Sequence, residues 1–151
     1  MDVYGNIMEE LFELRNYIQQ GQYSDALILL DEMEEMSKDD KINKIHSYAV
    51  ILLIHLIKQN AQKRSTRSWE NSIENSVEKI NMTNKRRKAG GFYIGEEELK
   101  DVLSESYKTA LRNASLEAFE GIYSASELGQ MVDKEDILKQ AWKLIFETTR
   151  N

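Results

Sequence analysis

Residues 48–57 form the most apolar stretch of the chain, with nine apolar side chains in ten positions and no glycine or proline. A helix that is apolar on every side must be surrounded by protein or by lipid. Because a membrane-spanning helix needs about 20 apolar residues, a stretch of this length predicts a buried core helix. We therefore expect a central hydrophobic helix over about residues 40–62, with the other elements packed around it.

The remainder of the chain shows the periodicity of amphipathic helices. Apolar side chains recur at i, i+3 and i+4, and the absence of proline favours long helices. The length suits one domain over residues 1–151. The predicted fold is all-α: a single-domain helical bundle of about five long helices plus a short one around the central helix.

Local signals predict where the helices begin and end. Helix one is expected over residues 2–20, and the central helix is expected to begin after an N-cap in residues 37–40. Helix ends are predicted at Gly21 and Gly121, and a loop is predicted over residues 89–95. A helix is predicted to start at Glu96. Helix starts are also predicted from a cap at Thr66 or Ser68, a capping box from Ser124 to Glu127 and a cap at Asp133.

The first two helices are each expected to bury one stripe of apolar side chains. The stripe of the first consists of Tyr4, Ile7, Met8, Leu11, Leu14 and Ile18, and that of the second consists of Tyr23, Ala26, Leu27, Leu30 and Met33.

Charge is segregated along the chain although the net charge is only −6. Residues 1–57 carry −7, residues 58–88 carry +6 and residues 89–151 carry −5. A basic middle between acidic ends indicates either an external anionic partner or neutralisation within the fold. The chain has no cysteine, which excludes disulfides and thiolate catalysis. No stretch resembles a signal peptide or a membrane span, so we expect a bacterial cytoplasmic protein with no membrane partner.

Two short sequences resemble the signature of a bacterial family. They are His55-Leu56-Ile57-Lys58 and Arg67-Ser68-Trp69, with the acidic residues 32–36 and Ser37 upstream. Together they are similar to the family called domain of unknown function 29, over about residues 2–120. One departure is Gln59, where many members carry an aromatic residue. The resemblance implies an all-helical domain and implies no activity.

The two histidines do not predict a metal site. His46 and His55 lie nine residues apart, so a helix places them on opposite sides. The chain also lacks the Glu-x-x-His sequence of carboxylate-bridged di-iron bundles. We expect no metal, no cofactor and no catalytic residue, and an enzyme is the less favoured interpretation.

His55 is the one polar residue in the apolar stretch, and it has two interpretations. The simpler one is a buried imidazole bonded to a helix-end carbonyl or to the carboxylate of Glu34 or Glu35. The other is a small polar or anion-binding site made of His55, Lys58 and Arg67 with the acidic residues Glu34 and Glu35. Lys58 follows His55 by three residues and so shares its helix face. Trp69, whose helical neighbours are aliphatic, is expected in the core.

Four adjacent cations give a candidate nucleic-acid surface: Lys85, Arg86, Arg87 and Lys88. They precede Phe92 and Tyr93, whose rings are able to stack on bases. The sequence pI of about 5.1 is far below the value typical of nucleic-acid-binding domains. A solvated helix end is therefore the simpler interpretation.

Three functions follow from these patterns. The preferred one is a non-enzymatic protein-interaction or regulatory module that binds another protein. The alternatives are nucleic-acid binding through residues 58–88 and an enzyme or anion site at His55, Lys58 and Arg67. Self-association as a homodimer is a further expectation, because the last helix carries Trp142, Leu144, Ile145 and Phe146.

Overall fold

The structure, a computed structural model, describes the backbone of residues 3–86 and 90–150 and the side chains of residues 8–86 and 90–147. Over this part of the chain it has six α-helices and no strand, which confirms the all-α prediction. The helices are α1 (Val3–Gln19), α2 (Tyr23–Gln62), α3 (Arg67–Asn84), α4 (Glu96–Glu117), α5 (Ala125–Met131) and α6 (Lys134–Arg150), with a 3₁₀ turn (Ala118–Gly121) after α4.

The chain divides into two compact units, Met1–Asp40 and Lys41–Asn151. The first unit contains α1 and the start of α2, and we call it the hairpin unit. The second contains the rest of α2 and helices α3 to α6, and we call it the bundle unit. That residues 1–151 form one domain stays a prediction.

Helix α2 is longer than the sequence predicted, because it continues through residues 37–40 without a break. The N-cap predicted there is wrong. Residues 23–62 contain no glycine or proline, and extending an existing helix costs far less than starting a new one. The boundary between the two units nevertheless falls at Asp40, so the polar sequence marks a change of packing.

The core of the bundle unit is built on the second half of α2, as predicted. Ile45, Leu52, Leu53 and Ile57 are fully buried there. They share one apolar cluster with buried side chains from every other helix of the unit: Ile80, Leu103, Ala110, Leu128, Ile137, Ala141 and Ile145. The central hydrophobic helix is therefore confirmed within this unit.

One strip of the central helix remains open, contrary to the expectation that it is covered on every side. Ile51 is 41% exposed, Ser47 is exposed and His55 is half-buried, and these residues follow one another at intervals of four. The two polar side chains are satisfied locally. Ser47 donates to the carbonyl of Asn43 at 3.2 Å, and Nδ1 of His55 lies 2.8 Å from the carbonyl of Ile51.

The hairpin unit buries little of its apolar surface. Among the described side chains of residues 8–40, only Ala26 and Leu29 are buried. The predicted burial of Met8, Leu11, Ile18, Tyr23, Leu27 and Leu30 is wrong, since all six are exposed. A unit that contains α1 and only the start of α2 has few neighbouring helices, so most of each apolar stripe remains in solvent.

Most of the predicted helix ends are confirmed. Gly21 adopts a left-handed conformation, and Gln22 N–H donates to the Tyr17 carbonyl at 2.8 Å, which closes α1. Thr66 caps α3, Ser124 and Glu127 form the predicted capping box, and Asp133 accepts from the backbone N–H of Asp136 at 3.2 Å. Helix α4 ends at Glu117, four residues before the predicted Gly121.

The residues after α4 turn through an unusual conformation. Phe119, Glu120 and Gly121 all have positive φ values, of 51°, 58° and 77°. Only glycine adopts this region at no steric cost, so the two preceding residues are held there by their surroundings. This left-handed turn lies beside the site described below.

None of the described helices has the length and apolar character required to cross a membrane. Within the same residues, no three His, Asp or Glu side chains are grouped as metal ligands would be.

Candidate functional site

Lys58 and Trp69 bring together the two sequences that carry the family resemblance. Lys58 lies near the end of α2, and Trp69 lies in the first turn of α3, where Trp69 N–H donates to the Thr66 hydroxyl at 3.1 Å. The Lys58 ammonium is 4.6 Å from the centre of the Trp69 ring. A cation at this distance over an indole is stabilised by the negative face of the ring. Trp69 is buried, as predicted. Lys58 is also buried, with 7% of its surface exposed.

Glu117 supplies the charge that opposes Lys58. Its Oε1 lies 3.4 Å from the Lys58 ammonium, across 59 residues of sequence. Glu117 is the last residue of α4 and lies two residues before Phe119, where the left-handed turn begins. The Lys58–Glu117 pair therefore joins α2 to the end of α4, and the contact of Lys58 with Trp69 adds α3. Nothing in the sequence pointed to Glu117, because its position opposite Lys58 depends on how the helices pack.

A second cation lies on the same aromatic ring. The Arg64 guanidinium carbon is 4.6 Å from the Trp69 ring centre, and its Nε donates to Gln62 Oε1 at 3.0 Å. An open cavity of about 430 Å³ lies here, and its lining includes Lys58, Arg64, Trp69, Glu117, Phe119 and Glu120. We call these six residues the Lys58 cavity. The basic pair Lys63-Arg64 was part of the charge pattern in the sequence, but no signal placed Arg64 on Trp69.

His55 and Arg67 do not line the Lys58 cavity. His55 is half-buried on the open strip of α2, with Nδ1 bonded to the carbonyl of Ile51. Arg67 is exposed and lines a separate polar groove with Glu70 and Glu74. Glu34 and Glu35 are exposed residues of the hairpin unit. A ligand-binding role for this set stays a prediction.

The predicted nucleic-acid patch is described in part, because Arg87 and Lys88 lie outside the described residues. Lys85 ends α3 and pairs with Phe92 in an isolated bridge. The Arg86 guanidinium carbon and the Lys41 ammonium each lie 5.7 Å from the centre of the Tyr93 ring. Phe92 is 50% exposed. This segment therefore presents cations and an accessible ring close together.

Asn84 holds this segment against the bundle unit. Its buried side-chain amide accepts from Ile94 N–H at 2.9 Å and donates to the Ile94 carbonyl at 3.1 Å. Both backbone groups of a buried residue are thereby satisfied. The loop that carries Phe92 and Tyr93 thus has a fixed base.

The hairpin unit presents many of its large apolar side chains to solvent. Nine large apolar side chains are exposed there: Met8, Leu11, Phe12, Ile18, Tyr23, Leu27, Ile28, Leu30 and Met36. Residues 1–40 also contain eleven acidic and two basic side chains, a formal charge of −9.

The carboxylates of the hairpin unit affect the pKa of Tyr17. Its hydroxyl donates to Glu13 Oε1 at 3.0 Å. That hydrogen bond, the charge of Glu13 and the more distant charges of Asp25 and Glu32 raise the pKa of the Tyr17 hydroxyl. The hairpin unit therefore combines apolar side chains with an excess of carboxylates.

A known protein family matches most of the chain. The family model described as Domain of unknown function DUF29 matches residues 2–143. The chain belongs to this family. The match extends beyond the residues 2–120 that the resemblance covered, and it includes most of α6. No significant match was found among curated proteins or among solved structures.

Helix α6 of this DUF29 protein forms part of the bundle core. Ile137, Ala141 and Ile145 are buried, whereas Trp142 and Phe146 are half-buried and stack with ring centres 5.5 Å apart. A truncation after Gln130 would therefore remove core side chains of the bundle unit. Self-association through this helix stays a prediction.

Proposed function

We propose that this DUF29 protein is a non-enzymatic protein-interaction module whose hairpin unit binds a basic amphipathic helix of another protein. The observation that carries the proposal is the exposure of nine large apolar side chains in a unit with a formal charge of −9. Contiguous exposed apolar surface is typical of interaction sites. The charge selects a partner with Lys and Arg beside its own apolar face.

The arrangement of the exposed side chains suits a helical partner. Tyr23, Leu27 and Leu30 follow one another at i, i+4 and i+7, so they form one stripe along α2. A helix that binds in this way buries its own apolar stripe against such a row. Units of about 40 residues rarely bury enough surface without a further element, and a third helix would supply it.

Replacing two exposed apolar side chains of the hairpin unit tests this function. Phe12 and Leu27 are 61% and 62% exposed, so Phe12→Ser with Leu27→Ser changes the surface and leaves buried Ala26 and Leu29 in place. We expect the wild-type chain to retain a stoichiometric partner from cell extract. We expect the double variant to bind it at least about tenfold more weakly, because central apolar contacts dominate interface energies.

The matched control is Met82→Ser with Leu116→Ser in the bundle unit, where the side chains are 60% and 73% exposed. The control should retain the partner as the wild type does, and far-UV circular dichroism should be the same for all three chains. The partner sequence must contain a basic amphipathic helix, and its binding must weaken with salt. Equal retention by both double variants, or an acidic partner, contradicts the proposal. A purified wild-type dimer that Phe12→Ser with Leu27→Ser dissociates also contradicts it, because the hairpin would then bind a second copy.

Nucleic-acid binding through residues 58–88 is the second candidate, supported by the exposed Phe92 ring beside Lys85 and Arg86. Single-stranded nucleic acid is the expected form, since an accessible ring stacks on unpaired bases. Changing Arg86 and Arg87 to alanine should weaken binding of a labelled single-stranded oligonucleotide, and wild-type binding should fall steeply with salt. Changing Lys139 and Lys143 on α6 to alanine is the control. Binding that is absent, or insensitive to salt, excludes this candidate.

A further inference from the structure

Lys58 is a buried cation whose hydrogen-bonding capacity is largely unused. An ammonium has three N–H donors, whereas Glu117 Oε1, at 3.4 Å, is the one acceptor for Lys58 among the described residues. A well-formed hydrogen bond between opposite charges has a distance of about 2.7–2.9 Å. Burying a charge is costly unless close partners compensate it. The Lys58 ammonium therefore has room for a second or a closer oxygen.

Arg64 adds donors to the same cavity. Its Nε is bonded to Gln62, and its terminal nitrogens donate to no acceptor in the part of the chain that the structure describes. A guanidinium presents these groups in a plane that fits the two oxygens of a carboxylate. Both cations lie 4.6 Å from the Trp69 ring centre, which fixes their positions over an apolar surface.

The Glu117 carboxylate is free to leave this position. Its side chain is 53% exposed although its partner is buried. It is the last residue of α4 and is followed by the 3₁₀ turn (Ala118–Gly121). Moving it into solvent requires rotation of one side chain and no change in the core.

We propose that the Lys58 cavity is a carboxylate-binding site in which Glu117 occupies the position of a ligand carboxylate. Lys58 and Arg64 bind the carboxylate oxygens, and Trp69 and Phe119 line the apolar part of the cavity. Glu120 lines the same cavity, so a second negative charge on the ligand meets repulsion. This favours a carboxylate with one charge over phosphate. The inference is independent of the interaction proposed for the hairpin unit.

Removal of the internal carboxylate tests the site by rescue. Glu117→Ala leaves Lys58 without its counter-charge and leaves space for acetate, the probe. We expect the Tm of this variant to fall below that of the wild type. Acetate at roughly ten times its Kd should raise it by about 3–4 °C relative to sodium chloride at the same ionic strength. Inorganic phosphate should raise it less.

Glu97→Ala is the matched control, because Glu97 forms an exposed ion pair with Lys100 at 3.9 Å. It should show no acetate-specific shift. Lys58→Met with Glu117→Ala should lose the rescue, since methionine keeps the apolar stem and removes the charge. Glu117→Ser gives a second test if the alanine variant does not fold, because serine also removes the carboxylate and leaves space for acetate.

Tryptophan fluorescence gives a readout at the site itself. The chain has two tryptophans, so Trp142→Phe leaves Trp69 as the reporter. In that background, acetate should change the emission of Glu117→Ala saturably and leave Lys58→Met with Glu117→Ala unchanged. The inference is overturned if Glu117→Ala and Glu117→Ser respond to acetate no more than to chloride. It is also overturned if phosphate stabilises them more than acetate, or if the response persists without Lys58.

Discussion

Leu53→Ala is expected to lower the free energy of unfolding of the bundle unit by about 2–5 kcal/mol. Leu53 is fully buried on the central helix and belongs to the apolar cluster that every helix of the unit shares. Its loss removes buried methyl groups and leaves a cavity that the surrounding helices fill only in part. Both tryptophans, Trp69 and Trp142, lie in this unit, so urea denaturation followed by tryptophan fluorescence measures the change.

Ile51→Ala is the control for this prediction, because Ile51 lies two residues away on the open strip of the same helix and is 41% exposed. We expect its effect to stay within about 1 kcal/mol, since alanine has the higher helix propensity and less apolar surface is lost. Equal losses for the two variants would mean that the central helix is not buried on one side and open on the other.

Gly121→Ala is expected to destabilise the bundle unit by at least about 2 kcal/mol. Gly121 has a φ of 77°, a conformation that costs an L-residue energy wherever it occurs. A Cβ atom at this position would also lie 2.9 Å from the carbonyl oxygen of Leu116, which belongs to the backbone of α4 and cannot rotate away. The same denaturation experiment measures this loss.

Gly90→Ala is the control that separates the effect of the positive φ from the effect of the close approach to Leu116. Gly90 has a similar φ of 74°, but a Cβ there would meet no atom of the described residues within 4 Å. Gly90→Ala should therefore lower the free energy of unfolding by only about 1 kcal/mol, because only the backbone conformation is unfavourable for alanine. If the two variants are equally stable, the close approach to Leu116 does not constrain the turn. Because the turn carries two residues of the Lys58 cavity, Gly121→Ala should also weaken acetate rescue in the Glu117→Ala background.

The two units of the chain differ in a way that bears on function. The bundle unit encloses most of its apolar side chains, whereas the hairpin unit leaves most of its own exposed. Such exposure is a cost to an isolated protein, because each large apolar side chain gains about 1.5–3 kcal/mol on full burial. A bound partner recovers that free energy, which is why the hairpin unit is the surface proposed for binding.

Some residues of the candidate sites could be predicted from the sequence, and others could not. The resemblance to DUF29 singled out Lys58 and Trp69, and the acidic composition of residues 1–40 was plain from the residues alone. Glu117 gave no signal, because it lies 59 residues from Lys58 and approaches it only when α4 packs on the bundle. Arg64 was one cation among several in a basic segment, and its contact with Trp69 depends on the turn between α2 and α3.

The helical class, the buried central helix and most helix ends were predictable from the residues alone. These depend on local chemistry: the spacing of apolar residues, the caps at Thr66 and Ser124 and the left-handed Gly21. The covered apolar stripes and the charges that lie close together depend instead on how the helices pack. Leu27 and Leu53 read alike as members of apolar helical stripes, yet one is exposed and the other is buried. The difference arises because burial depends on how many neighbouring helices surround a stripe, and that number is a property of the packing.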